Sequence, residues 1–261
     1  TNLPPDRKTI GAKWMYKWKT DEMGIVTRAK ARLVAKGYNQ KLGVDYFETF
    51  ASTPAASTEA FLHADIDEEV FVRLPPGCGD LIGKTVSLHR ALYGCKQSSR
   101  TWNMHLTATL KSFGFEQSEA DPCLFLYMDE EEVPLLVVTH VDDMIAAGSV
   151  CDCDALCEAL STEFPTNNSG PLSWYTGCAF ERDWEKGTLT TTQTAYIDQL
   201  CERFDVSSPS PLPATAHEQT LPRQDNDGPG PERFRELIGA LLWVVCMSRP
   251  DISNPVRALA R

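Results

Sequence analysis

No stretch of this chain is long and apolar enough to span a bilayer. The longest apolar run, Gly239-Ala240-Leu241-Leu242-Trp243-Val244-Val245-Cys246-Met247, falls far short of the roughly 20 residues a spanning helix needs, and no signal peptide opens the sequence. Histidine is scarce, with five in 261 residues. His63, His89, His105 and His217 lack the spacing of a ligand cluster, which argues against a phosphoesterase built on such a cluster. Cysteine is not scarce, but nine is an odd number, scattered and without secretory context, so the thiols read as reduced and intracellular rather than as a disulfide framework. Cys151, Cys153 and Cys157 have no second ligand pair to complete a zinc site and read as packed or idle.

Acids are nearly missing from two tracts of an otherwise acidic chain. Net charge is −11, yet residues 1–41 carry ten Lys or Arg against three acids, and residues 73–111 carry six against Asp80 alone. Such tracts are candidates for phosphate contact; the first, taken in isolation, also fits a solvated face. At 42% hydrophobic, the chain can bury the core of one large domain or two small ones.

What is present centres on Leu135-Leu136-Val137-Val138-Thr139-His140-Val141-Asp142-Asp143-Met144-Ile145-Ala146-Ala147-Gly148, two apolar arms with an acidic pair at the reversal. Adjacent carboxylates repel and lose solvation, a combination that a divalent cation relieves, so metal-dependent phosphoryl transfer is one reading. An acidic turn that merely keeps the tip of a hairpin soluble is the other.

Elsewhere, Trp14-Met15-Tyr16-Lys17-Trp18-Lys19 alternates aromatic and basic residues before a turn at Asp21-Glu22-Met23-Gly24, which predicts a hairpin. Helical spacing appears at Trp102, Leu106, Leu110 and Phe113, with Trp102 in the core, and again at Leu156, Leu160 and Phe164. Between them the expected order is strand, strand, acidic turn, strand, with Asp129-Glu130-Glu131-Glu132 joining the first two. A strand from Trp174 to Arg182 should pair with Thr188–Thr192, followed by a helix capped by Thr194. Residues 206–230 read as a linker, residues 231 to about 248 as an amphipathic helix, and Pro255 as the start of another.

Five segments, in this order, resemble the reverse transcriptase of Ty1/copia-type retrotransposons. They are Lys30-Ala31-Arg32-Leu33-Val34-Ala35-Lys36-Gly37, Asp45-Tyr46-Phe47-Glu48-Thr49-Phe50, Leu74-Pro75-Pro76-Gly77, Leu92-Tyr93-Gly94-Cys95-Lys96-Gln97-Ser98-Ser99-Arg100-Thr101-Trp102, and the acidic hairpin. Ser248-Arg249-Pro250-Asp251-Ile252-Ser253 adds to the match. The resemblance implies an α+β right-hand polymerase: fingers and palm over residues 1–205, a linker over 206–230, and the start of a thumb or connection over 231–261, leading toward an RNase H domain. It implies RNA-directed DNA polymerase activity with Mg²⁺ held by Asp142 and Asp143. It also implies Lys30, Arg32 and Gln97 at the incoming nucleotide, and Lys36, Lys96 and Arg100 at nucleic acid. Expected partners are an RNA or DNA template-primer and dNTPs, with RNase H and integrase domains in the intact polyprotein and no membrane. The expected location is a cytoplasmic particle or the nucleus.

The chain departs from that pattern near Thr58/Glu59, where a helix and a strand of about 20 residues by ordinary element lengths are missing, together with a palm aspartate whose place falls at Ala56. Asp65 and Asp67 are the nearest substitutes. His140 stands where the family has tyrosine, and Thr176 where leucine is common. Thr1 opens without methionine and no RNase H sequence follows Arg261, so the expectation is a piece of a longer polyprotein. Catalysis is expected to be impaired. The alternative is an inactive retroelement remnant that at most binds nucleic acid.

Overall fold

The computed structural model describes residues 3–20, 26–51, 60–128, 133–141, 143–209 and 231–260. It is a mixed α and β structure of two compact units, residues 1–168 and 169–261.

In the first unit the aromatic-basic alternation forms the expected hairpin. Strands β1 (Ile10–Thr20) and β2 (Val26–Ala35) pair antiparallel, from Ala12 opposite Ala35 to Lys19 opposite Arg28. The predicted turn at 21–24 lies outside the described residues. β1 runs parallel to β3 (Phe71–Arg73) only through Ile10 and Gly11, and β3 pairs with β4 (Thr85–Ser87), giving the order β2-β1-β3-β4. Ile10, Ala12, Ala35, Val70, Val72 and Leu92 close a small core at the base of the hairpin.

The larger core lies between two helices and a second sheet. Helix α1 (Ser98–Ser112) buries Trp102, Leu106 and Leu110 at the predicted spacing and stops before Gly114, which takes φ 91°. β5 (Glu116–Gln117), β6 (Leu124–Met128), β7 (Pro134–His140) and β8 (Asp143–Ala147) follow as an antiparallel sheet in sequence order. The acids at 129–132 lie outside the described residues. Helix α2 (Val150–Glu163) starts where the Ser149 hydroxyl accepts the Asp152 N–H at 3.1 Å. Its Leu156 and Leu160, with Phe164 beyond its end, complete the core around Phe125, Leu135 and Val137. Each fully buried Leu, Val or Phe side chain there contributes about 1.5–3 kcal/mol.

In the second unit the predicted strand from Trp174 to Arg182 is broken. Thr176 at φ 47° and Gly177 at φ 84° turn the chain, so that β9 (Trp174–Tyr175) folds back antiparallel onto β10 (Cys178–Asp183), which pairs in turn with β11 (Thr188–Thr192). Helix α3 (Thr194–Arg203) also departs from expectation. Thr194 is its first helical residue, and Gln193 occupies the cap position without capping. The reason is a long-range contact: the Gln193 Oε1 accepts the hydroxyl of Ser248, 55 residues on, at 2.7 Å and makes no cap hydrogen bond to the helix. Helix α4 (Pro231–Met247) is joined to the end of α3 by the Arg203–Glu236 ion pair and by Arg233, which donates to the Arg203 carbonyl. Helix α5 (Ser253–Leu259) follows after Pro250. Residues 210–230 of the predicted linker lie outside the described residues, and among those described no helix is long and apolar enough to cross a membrane.

Candidate active site

The β7–β8 hairpin reverses in two residues, with His140 opposite Asp143 and Thr139 opposite Met144. Along β7, Leu135, Val137 and Thr139 face inward while Leu136 and Val138 face out. A two-residue reversal demands positive φ, ordinarily supplied by Asn or Gly. Here Val141 takes it, at φ 66°. A β-branched residue in the left-handed region is strained by on the order of 1–3 kcal/mol, so its surroundings must hold it there. They do: the Val141 side chain is buried in the large core, and its carbonyl accepts the indole N–H of Trp102 at 2.6 Å. Trp102 is itself fixed edge-on against Phe164. The hairpin tip is thus anchored, and Asp143 stands exposed beside it. Asp142 lies outside the described residues.

A second construction brings two of the resembling segments together. The Ala35 N–H donates to the Tyr93 carbonyl at 2.6 Å, and the Lys36 N–H to the Gly11 carbonyl at 2.8 Å. The backbones cross so closely that a Cβ on Gly37 would lie 1.9 Å from the Gly94 oxygen, and one on Gly94, at φ 86°, would lie 2.2 Å from the Ala35 oxygen. Two glycines 57 residues apart in sequence are required at one crossing. This seats β2 on the segment leading into α1. Arg32 then lies with its guanidinium carbon 5.5 Å from the centre of the Tyr93 ring, and its buried Nε has no hydrogen-bond partner. Lys30 is half-buried one pair further out on the same face of the ribbon, and the Lys36 stem packs over Gly11.

Gln97, just before α1, is fully buried. Its amide nitrogen donates to the Asp45 carbonyl at 2.9 Å and to a Glu68 carboxylate oxygen at 3.2 Å, while its oxygen accepts from Gln40 at 3.0 Å. Gln40 in turn accepts the Lys96 N–H at 2.7 Å, and the buried Asp45 carboxylate accepts the Lys41 N–H at 2.8 Å. The network fixes loop 37–48 against the start of α1. Lys96 is exposed, 6.0 Å over the Tyr46 ring, and Arg100 is paired with Glu48 at 2.5 Å. Gln40 and Glu68 drew no notice in the sequence because single polar loop residues carry no periodic signal.

Tyr93, Trp102 and Val141 share one core, with Val34 of β2 packed against it, so the basic strand and the acidic hairpin are built on the same foundation. A metal finds only part of a site. Asp143 offers a hard oxygen donor suited to Mg²⁺, but among the described residues no three His, Cys, Asp or Glu side chains gather to hold an ion. Asp65 is exposed and sits 3.9 Å from Arg90, and Asp67 is also exposed.

The sequence profile of the family described as reverse transcriptase (RNA-dependent DNA polymerase) matches residues 1–59 and 55–214. This chain belongs to the reverse transcriptase family. More narrowly, it is a copia-type reverse transcriptase domain. It is 29% identical, over 99% of its length, to the retrovirus-related Pol polyprotein from transposon TNT 1-94 of Nicotiana tabacum, and equally to that from transposon RE2 of Arabidopsis thaliana. The reverse transcriptase chain spans about a fifth of those relatives, 22% and 19% of their lengths. A putative transposon Ty5-1 protein of Saccharomyces cerevisiae is 27% identical over 77% of this chain and 67% of its own. No solved structure matches. The alignment with TNT 1-94 runs over 294 residues, more than the 261 present here, so that relative carries residues this reverse transcriptase lacks.

Proposed function

We propose that this domain is an RNA-directed DNA polymerase that adds nucleotides to a primer 3′ end on an RNA or DNA template, with impaired catalysis. Residues 1–205 act as fingers and palm, 206–230 as a linker, and 231–261 as the start of a thumb or connection. The observation that carries the reading is the anchored reversal at Val141, which holds Asp143 exposed at the start of β8. A divalent cation held by Asp142 and Asp143 would neutralise charge on the leaving pyrophosphate and favour ionisation of the primer hydroxyl. Arg32, with Lys30 beside it, would grip the triphosphate, and the unpartnered Nε–H of Arg32 supports that role. Gln97 would position the loop and the start of α1 that frame the nucleotide, and Lys36, Lys96 and Arg100 would contact nucleic acid. The family match in two pieces that meet at 55–59 supports loss of a palm segment there, and with it a third carboxylate.

Primer extension on an RNA template with Mg²⁺, comparing the chain with its Asp142→Ala/Asp143→Ala variant, tests this. Weak extension abolished in the variant is expected. Equal extension by both would overturn the assignment of these acids. No extension by the folded chain under any condition would leave an inactive remnant.

A further inference from the structure

The polymerase reading gives no role to His140, which stands where the family has tyrosine. The register sets it directly opposite Asp143 across the two-residue reversal. Directly opposed side chains share a face of the sheet, with Cβ atoms about 4.5–5.5 Å apart. The adjoining pair fixes which face this is. Thr139 is buried and Met144 packs against the large core, so His140 and Asp143 stand on the opposite, outer face, with Val138 and Ile145 as the next pair along it. Both chain neighbours of His140 are held: the Thr139 N–H donates to the Cys123 carbonyl at 2.9 Å, and the Val141 carbonyl accepts the Trp102 indole N–H. An imidazole and a carboxylate are thus presented side by side from anchored backbone, the first half-buried and the second exposed.

We propose that His140 and Asp143 form a mixed nitrogen–oxygen site for a divalent transition-metal ion, with the imidazole serving as a ligand that tyrosine at this position would not supply. The proposal deepens the polymerase reading and rests on it for the use of the ion, but not for its binding. Donor chemistry selects the ion. Mg²⁺ is held by oxygen donors and keeps several of its waters, whereas an imidazole nitrogen suits first-row transition ions. The histidine adds a donor in a chain whose two-piece family match points to the loss of one. The described residues supply two donors, and solvent completes the coordination sphere. Val138 and Ile145, next on the same face, make an apolar border that lowers the local dielectric and strengthens the pull of the carboxylate on the cation.

The probe is Mn²⁺, because the nine cysteines would capture softer ions. EPR titration of the full chain reads free Mn²⁺, competition with Mg²⁺ reads preference, and pulsed EPR reads the nuclear modulation of a directly bound imidazole nitrogen. His140→Tyr and Asp143→Asn are compared with the parent after thermal melting shows that all three fold. Loss of a partner to a metal ligand already costs about 10–100-fold in affinity, so His140→Tyr should bind Mn²⁺ at least about tenfold more weakly and lose the nitrogen modulation. Its Mg²⁺ affinity should stay within about threefold of the parent, and Asp143→Asn should weaken both ions. A parent without nitrogen modulation, or modulation and Mn²⁺ affinity that persist in His140→Tyr, would overturn the proposal. Modulation that depends on His140 in a chain that extends no primer would sustain this inference while removing the polymerase activity; primer extension by a chain without modulation would do the reverse.

Discussion

Trp102 and Val141, 39 residues apart, meet through a 2.6 Å hydrogen bond that fixes the end of β7 at the reversal before Asp143. The bond explains why a tryptophan rather than another large apolar residue stands at this position of α1. It also makes the helix and the hairpin tip one mechanical unit.

Replacing Trp102 with phenylalanine keeps most of the buried volume but leaves the Val141 carbonyl without its partner. The expected cost is about 1–3 kcal/mol in a urea melt. Any primer extension should fall more than template affinity does, because the substitution loosens the hairpin tip rather than the basic tracts.

The backbone crossing at Gly37 and Gly94 gives a graded prediction. Gly43→Ala meets nothing within 4 Å and carries only the strain of φ 78°, about 1–2 kcal/mol. Gly94→Ala combines similar strain with a collision against the Ala35 carbonyl and should cost more than about 4 kcal/mol, as rare backbone-displacing substitutions do. Thermal melting of the two variants separates strain from collision.

Gln97→Leu should destabilise the fold by about 2–3 kcal/mol, since it strands the Glu68 carboxylate and a buried donor on Gln40 at once. A double cycle with Gln40→Leu checks this: the pair should cost less than the sum of the single changes.

Burial pushes the Cys95 thiol up to about 12. The folded thiol therefore stays protonated where the unfolded one ionises, so this stability is full below pH 9 and drains away as pH rises from 9 toward 12. The melting temperature of the parent should fall across that window more steeply than that of Cys95→Ala. Alkylation at pH 8 followed by peptide mapping should label the exposed Cys151 and Cys246 well before Cys95.

Much of the first unit was legible in the sequence because its signals are periodic. The stripe Trp102, Leu106, Leu110 reports one face of one helix, while the continuous apolar arm of β7 announces a strand without saying which of its side chains face inward. The turn at Thr176-Gly177 was legible only through the resemblance, because taken alone Trp174 to Arg182 keeps a strand-like character straight through it. The embrace of Gly37 and Gly94 was not legible, because it depends on packing between distant segments. The resemblance assigned Gln97 to the incoming nucleotide, and only the fold shows it fully buried with Gln40, Asp45 and Glu68 as its partners.

The parallel pairing of Ile10 with Val72 closes a loop of about 60 residues, and residues 52–59 lie within it. Closure entropy grows only with the logarithm of loop length, so a helix and a strand more or less in that loop alters the cost by a few tenths of a kcal/mol. Chain entropy is nearly indifferent to length at this place. What a missing element costs at this place is therefore the apolar burial it would have supplied to the fold, not the closing of the chain.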